Sequence, residues 1–147
     1  MRADLNLVNL IAGRDHYLAA VATRRADGSM QSSVVNAGVM PHPVSGAQVV
    51  AFVAFPGVKV RHLRARSEVT LTFRAGWEWA TVEGTAELAG PDDPLDRLEE
   101  KRVPGLLRDI FTAAGGTHED WDEYDRVMAA ERRVAVLVIP ARIYTSG

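Results

Sequence analysis

Between Pro56 and Arg66 the chain reads PGVKVRHLRAR, with Lys59, Arg61, His62, Arg64 and Arg66 crowded into a stretch that contains no acidic residue. A strand that ends at Pro-Gly and turns into a helix brings backbone N–H groups and positive side chains to one point, and a phosphate binds well there. Lys59 stands where a flexible ammonium can act as a point charge on such an anion. Arg61 and Arg64 fall at different angles around a helix, so at most one of them reaches the same anion. From these residues alone, a solvated amphipathic helix accounts for the pattern equally well.

Other chemistries find less support. The chain has no cysteine, which removes thiolate nucleophiles, disulfides and cysteine-ligated metals and fits a reducing compartment. No Gly-x-Ser-x-Gly elbow accompanies the serines. His16, His42, His62 and His118 are scattered singly, without the close helical pair of a zinc hydrolase, and read as solvated or capping side chains. The acidic run HEDWDEYD has helical spacing and reads as the solvated face of a helix; no metal site is expected. With 17 basic against 19 acidic residues and a net charge of −2, the chain lacks the basic face of a nucleic-acid binder. No apolar run approaches the length that spans a bilayer, and the N-terminal residues lack a signal-peptide pattern, so a cytoplasmic location is expected, with no membrane partner.

The elements that must position the basic segment follow from periodicity. A chain of 147 residues suits one domain, expected to span residues 1–147. Residues 17–24 and 30–39 predict a hairpin turning at Asp27-Gly28. QVVAFVAF, residues 48–55, is so continuously apolar that it predicts a strand covered on both faces, ended by Pro56-Gly57. A short helix is expected from Val58 to Arg66. EVTLTF and WEWATVEGTAELAG then alternate with period two and are expected to join at an Ala75-Gly76 turn. Composition turns helical over about 93–133. Helices are expected at Leu95 to Val103 and Leu106 to Ala114, then one capped at Thr117 and running to Arg133. VAVLVIPARIYTS closes the sheet as a last strand broken at Pro140. The class expected is mainly β, a β-barrel with an α insert.

In this order, HYLAAVATRRADGSMQSSVV, then VVAFVAFPGVKVRHLRARSEVTLTF, then WATVEGTAEL resembles the flavin- and deazaflavin-binding split β-barrel proteins related to pyridoxamine 5'-phosphate oxidase. The resemblance covers roughly residues 10 to 90 and the last strand. Within the family, the short chain, WATVEG and AAGGTHEDWDEYDRV look most like the branch that uses the deazaflavin coenzyme F420. The resemblance implies an FMN-binding split barrel, a Greek-key-like antiparallel barrel of six to seven strands with short flanking helices, built as a homodimer with cofactor sites between subunits. It implies an F420-dependent oxidoreductase passing a hydride between reduced deazaflavin and a small conjugated organic substrate. The alternatives are an FMN-dependent oxidoreductase and a non-catalytic flavin- or deazaflavin-binding protein.

Carried over residue by residue, the family pattern makes Lys59 the main ligand of the cofactor phosphate, with Arg61 or Arg64 beside it. Gln31, Ser32, Ser33 and Val34 would lie along the edge of the ring system. Ala54, Phe55, Pro56 and Gly57 would line the ribityl chain, although many family members carry threonine or serine where this chain has Ala54 and Phe55. Trp77 and Trp79 read first as packing residues, and Trp79 is the better candidate to line a cofactor pocket across the dimer. No catalytic side chain is implied.

Overall fold

The computed structural model describes residues 3–146. Six strands, β1 (Leu18–Arg24), β2 (Met30–Pro41), β3 (Gln48–Ala54), β4 (Glu68–Ala75), β5 (Glu78–Ala89) and β6 (Val134–Thr145), close into a barrel in the order β1-β2-β3-β6-β5-β4. All pairings are antiparallel, and β4 returns to β1 to complete the ring. The four helices are α1 (Leu5–Gly13), α2 (Val58–Ala65), α3 (Val103–Ala113) and α4 (Trp121–Ala130).

The alternation along β4 and β5 sends Val69, Leu71 and Phe73, with Ala80 and Val82, into the barrel interior, where they meet Ala19, Val21, Phe52 and Val136. α1 contributes Leu5, Leu7, Val8, Ile11 and Ala12 to the same core, and α2 contributes Val60 and Leu63. β3 and the first half of β6 are buried on both faces. Their outward residues Val49, Ala51, Ala135 and Leu137 form a second core with Leu106, Leu107, Ile110 and Tyr124 of the helical insert. That explains why β3 and the first half of β6 read as unbroken apolar runs rather than as alternating ones.

Several expectations need correction. α1 was not anticipated; Asp4 caps it by accepting a hydrogen bond from the Leu7 N–H at 3.0 Å, and apolar residues at helical spacing follow. No helix spans Leu95 to Val103. Gly90 and Asp93 form a tight turn, Arg97 adopts a positive φ of 66°, and only the 3-10 turn Glu100–Arg102 precedes α3. The left-handed backbone at Arg97 accounts for this, since one such residue interrupts a right-handed helix. α3 instead starts at Val103, with Pro104 in its first turn, where the missing N–H costs nothing. α4 is capped not by Thr117 but by Asp120, which accepts from the Glu123 N–H at 3.1 Å. The β4–β5 turn consists of Gly76 and Trp77, because Ala75 pairs with Glu78. Trp77 is 96% exposed, so it packs in no core of this chain.

β6 is not broken at Pro140. The register jumps from Gly84↔Pro140 to Glu83↔Arg142, leaving Ala141 as the extra residue of a bulge that accommodates the missing proline donor. Among the described residues no helix is long and apolar enough to cross a membrane.

β2 is held against the insert at Gly38. A Cβ there would lie 2.3 Å from the carbonyl oxygen of Ala113 and 2.7 Å from the Ala114 nitrogen, both backbone atoms that cannot rotate away. Gly38→Ala should therefore destabilise the protein by about 1–3 kcal/mol through overpacking. Urea unfolding checks this by a lower midpoint at unchanged slope; an unchanged midpoint would mean that the end of α3 shifts freely.

Candidate functional site

β2 changes partner halfway along its length. Its residues from Met30 to Asn36 pair only with β1, and pairing with β3 begins at Ala37↔Phe52. β3 nevertheless continues past Phe52, still bonded to β6 through Val53↔Ala135 and Ala54↔Val134. The two strands part at that point, and a cleft of about 380 Å³ opens between them. Gln31, Ser33, Val34 and Val35 of β2 line one side; Val53, Ala54, Phe55, Gly57, Val58 and Lys59 line the other, together with Arg133 from just before β6.

The Pro56-Gly57 break turns β3 directly into α2. Gly57 is the N-cap residue and supplies no side chain to the first-turn N–H groups, so those donors are open towards the cleft end of the helix. Lys59 is half-buried, and its ammonium has no hydrogen-bond or ion-pair partner among the described residues. Burial holds its pKa below the ordinary 10.5. A desolvated cation without a counter-charge, beside unpaired N–H groups at the positive end of a helix, is an electrostatic arrangement that an anion would complete.

Val34, Phe55 and Val58 expose large apolar surface at the rim. Over the Phe55 ring lies the Arg133 guanidinium, its carbon 3.4 Å from the ring centroid. Arg133 was not anticipated as a site residue: it belongs to ERRVAVLV, far along the chain from Lys59, and only the pairing of Val134 with Ala54 brings it to the cleft. A second cavity of about 200 Å³ lies beneath the insert, lined by Val103, Pro104, Leu107, Met128 and Ala129, and it too borders Arg133. It is smaller, and its two carboxylates, Glu100 and Asp125, disfavour an anion.

Of the residues singled out from the sequence, Gln31, Ser33, Val34, Ala54, Phe55, Gly57 and Lys59 come together in the cleft. Ser32 and Pro56 are exposed beside it without lining it. Arg61 is exposed and also lies outside the lining. Arg64 is engaged elsewhere, in a two-pronged pair with Asp93 at 2.8 and 2.7 Å. Trp79 lies on β5 away from the cleft of its own chain, edge-on to Tyr144. The histidines do local structural work. His42 accepts from the Val44 and Ser45 N–H groups and pairs with Glu87, and His62 bonds Thr23. His118 accepts from the Asp120 N–H, and His16 is exposed. Among the described residues no group of three His, Asp or Glu side chains could hold a metal ion.

Comparison with known proteins identifies the family and the fold. The family model described as pyridoxamine 5'-phosphate oxidase matches residues 9–144. Among solved structures, a pyridoxamine 5'-phosphate oxidase-related, FMN binding protein of Nostoc punctiforme superimposes with a TM-score of 0.65 at 11% identity, covering 95% of this chain and 82% of that one. An F420 reductase superimposes with a TM-score of 0.58 at 16% identity, over 87% and 89% of the two chains. A heme binding protein of Mycobacterium smegmatis gives a TM-score of 0.65 at 12% identity, over all of this chain (100%) but 55% of the other. At these identities the likeness concerns the fold.

The electrostatics of Lys59 can be read directly. Because its folded pKa lies below the unfolded value, the charged ammonium costs the folded protein stability at neutral pH, a cost relieved as pH rises through the folded pKa. Lys59→Met should therefore leave the melting temperature of the ligand-free protein unchanged or raise it. The chain has two lysines, Lys59 and Lys101, so the lysine Cε methylene NMR resonances are readily assigned. The Lys59 signal should titrate below 10.5 and move upward when inorganic pyrophosphate is added, because a nearby anion favours the charged form. A signal indifferent to pyrophosphate would contradict an anion site there.

Proposed function

Since the chain belongs to the pyridoxamine 5'-phosphate oxidase family, we propose that it is an oxidoreductase whose cleft between β2 and the start of α2 holds a flavin-type cofactor by its phosphate. The reading rests on one observation above all, the half-buried, unpartnered Lys59 beside the uncapped first turn of α2. The cofactor, when bound, supplies the hydride chemistry. The protein contributes binding, orientation and exclusion of water. Lys59 and the first-turn N–H groups of α2 neutralise the phosphate. The Ser33 hydroxyl and the Gln31 amide, with the free backbone edge of β2, offer hydrogen bonds to the carbonyls and nitrogens of the ring. Val34, Phe55 and Val58 shield it from solvent. Ala54 and Phe55 give the linker between ring and phosphate no side-chain hydrogen bond, so affinity rests on the two ends of the molecule.

The cofactor we favour is coenzyme F420, with a small conjugated organic compound as hydride acceptor. Its support is the sequence likeness to the F420-using branch and the likeness in fold to an F420 reductase. FMN is the alternative, supported by the family and by the FMN-binding neighbour. We propose further that the protein works as a homodimer. The exposed Val34, Phe55 and Val58 border the cleft, and a second subunit covering them would complete it, with Trp79 a candidate contribution from across the interface. The second reading is a carrier that binds the same cofactor without turnover. Reduced cofactor offered with a panel of enones and quinones separates the two, because only the enzyme consumes it.

Titrating the purified protein with FMN and with F420, followed by ring fluorescence, tests the proposal. Micromolar or tighter binding of F420 is expected. Lys59→Ala should weaken it by about one to two orders of magnitude, the value of one charge-assisted hydrogen bond of roughly 1.5–3 kcal/mol. Tight FMN binding without F420 binding would select the alternative cofactor, and uptake of neither would refute the proposal. Sedimentation at micromolar concentration should give a dimer; a monomer would refute the shared site.

A further inference from the structure

The described arginines that pair through a full fork do so completely: Arg64 gives Nε and Nη2 to Asp93, and Arg108 gives Nε and Nη2 to Asp125. Arg133 does not. Its Nε bonds Glu131 at 2.9 Å, while its terminal nitrogens have no acceptor among the described residues. The side chain is only 21% exposed and its plane is held over Phe55, so those nitrogens are neither free to roam nor fully in water. A stacked guanidinium with one edge occupied presents its remaining donors in a fixed direction, the geometry suited to a phosphate oxygen pair. Arg133 and Lys59 line the same cleft, and Glu131 balances only part of the combined charge.

We infer that Arg133 is a second phosphate anchor of the cleft, sharing with Lys59 the phosphate of the bound cofactor. The inference rests on the cofactor-binding reading above. It also gives Phe55 a role, that of the platform that orients the guanidinium, at a position from which a threonine or serine could not do so. Two cations on one group match a phosphate better than a carboxylate, because a phosphate presents its oxygens in a tetrahedral array that two donors can approach from different sides, and the monoester of FMN in addition carries close to two charges.

The test compares each phosphate-bearing cofactor with its phosphate-free core, FMN with riboflavin and F420 with its deazaflavin chromophore, on wild-type protein, Arg133→Met, Arg133→Lys and Lys59→Met. Arg133→Met should weaken the phosphate-bearing ligand about tenfold or more, the effect of losing a charge-assisted contact. It should change the phosphate-free core by less than about threefold and flatten the salt dependence of binding. Arg133→Lys should recover part of the loss. Equal losses for both forms of the ligand would overturn the inference, because packing on Phe55 would then be what the substitution removes. So would a phosphate-bearing ligand bound by Arg133→Met within twofold of wild type while Lys59→Met loses it, and in that case the cofactor-binding reading would stand. If wild-type protein bound neither cofactor, that reading would fall and the inference with it.

Discussion

The cleft exists because β2 can pair with β3 over only part of its length. The open half of β2 stays on β1, while the end of β3 stays on β6, so the strands must separate after Ala37↔Phe52 rather than fray together. Backbone hydrogen bonds on the far side of each strand make the gap stable, and the contact of Gly38 with the end of α3 clamps the paired half in place. A residue with a side chain at Gly38 would push β2 away from the insert and change the angle at which the strands part. The site is thus a by-product of register, and its lining residues are those the parted strands leave facing each other.

Several cations outside that gap are matched by carboxylates, and the exposed arginines that are not so matched lie in water, whereas the gap holds a half-buried one. Arg14, Arg24, Arg108 and Arg132 all find carboxylates, and Arg64 finds Asp93, which removes it from any competition for a ligand. Among the described residues Lys59 finds none, and Arg133 finds only half a partner. An unpaired, partly desolvated ammonium works against folding, so its presence beside an uncapped helix start is better explained by a ligand than by structural need. The chain's slight net negative charge makes the contrast sharper, because the positive field is local to the cleft rather than a property of the whole surface.

Much of the barrel was legible in the sequence because period two and continuous apolar runs are direct consequences of one-faced and two-faced burial. β4 and β5 show the first, β3 and β6 the second. What escaped was set by local backbone conformation and by topology. The region from Leu95 to Val103 has helical composition, yet Arg97 takes a left-handed backbone, and Leu95 and Leu98 reach the second core from a loop. α1 carried a usable signal, Asp4 followed by apolar residues at 5, 7, 8, 11 and 12. On the site side, Lys59 stood out as a cation at a strand-to-helix break. Arg133 could not, since its neighbourhood is created by pairing between strands remote in sequence. Arg64 stood beside Lys59 as a possible second contact, and only the fold reveals Asp93 as its partner.

The central claim is that a phosphate-bearing ring cofactor occupies the gap between β2 and the start of α2. Amide chemical-shift mapping on isotope-labelled protein, with FMN and with F420 added in turn, tests it most directly. The expected result is that the largest shifts fall on Gly57, Val58, Lys59 and Val60 for the phosphate end, and on Ser33, Val34 and Val35 for the ring. Shifts confined to Val103, Leu107, Met128 and Ala129 would put the ligand beneath the insert instead and contradict the account.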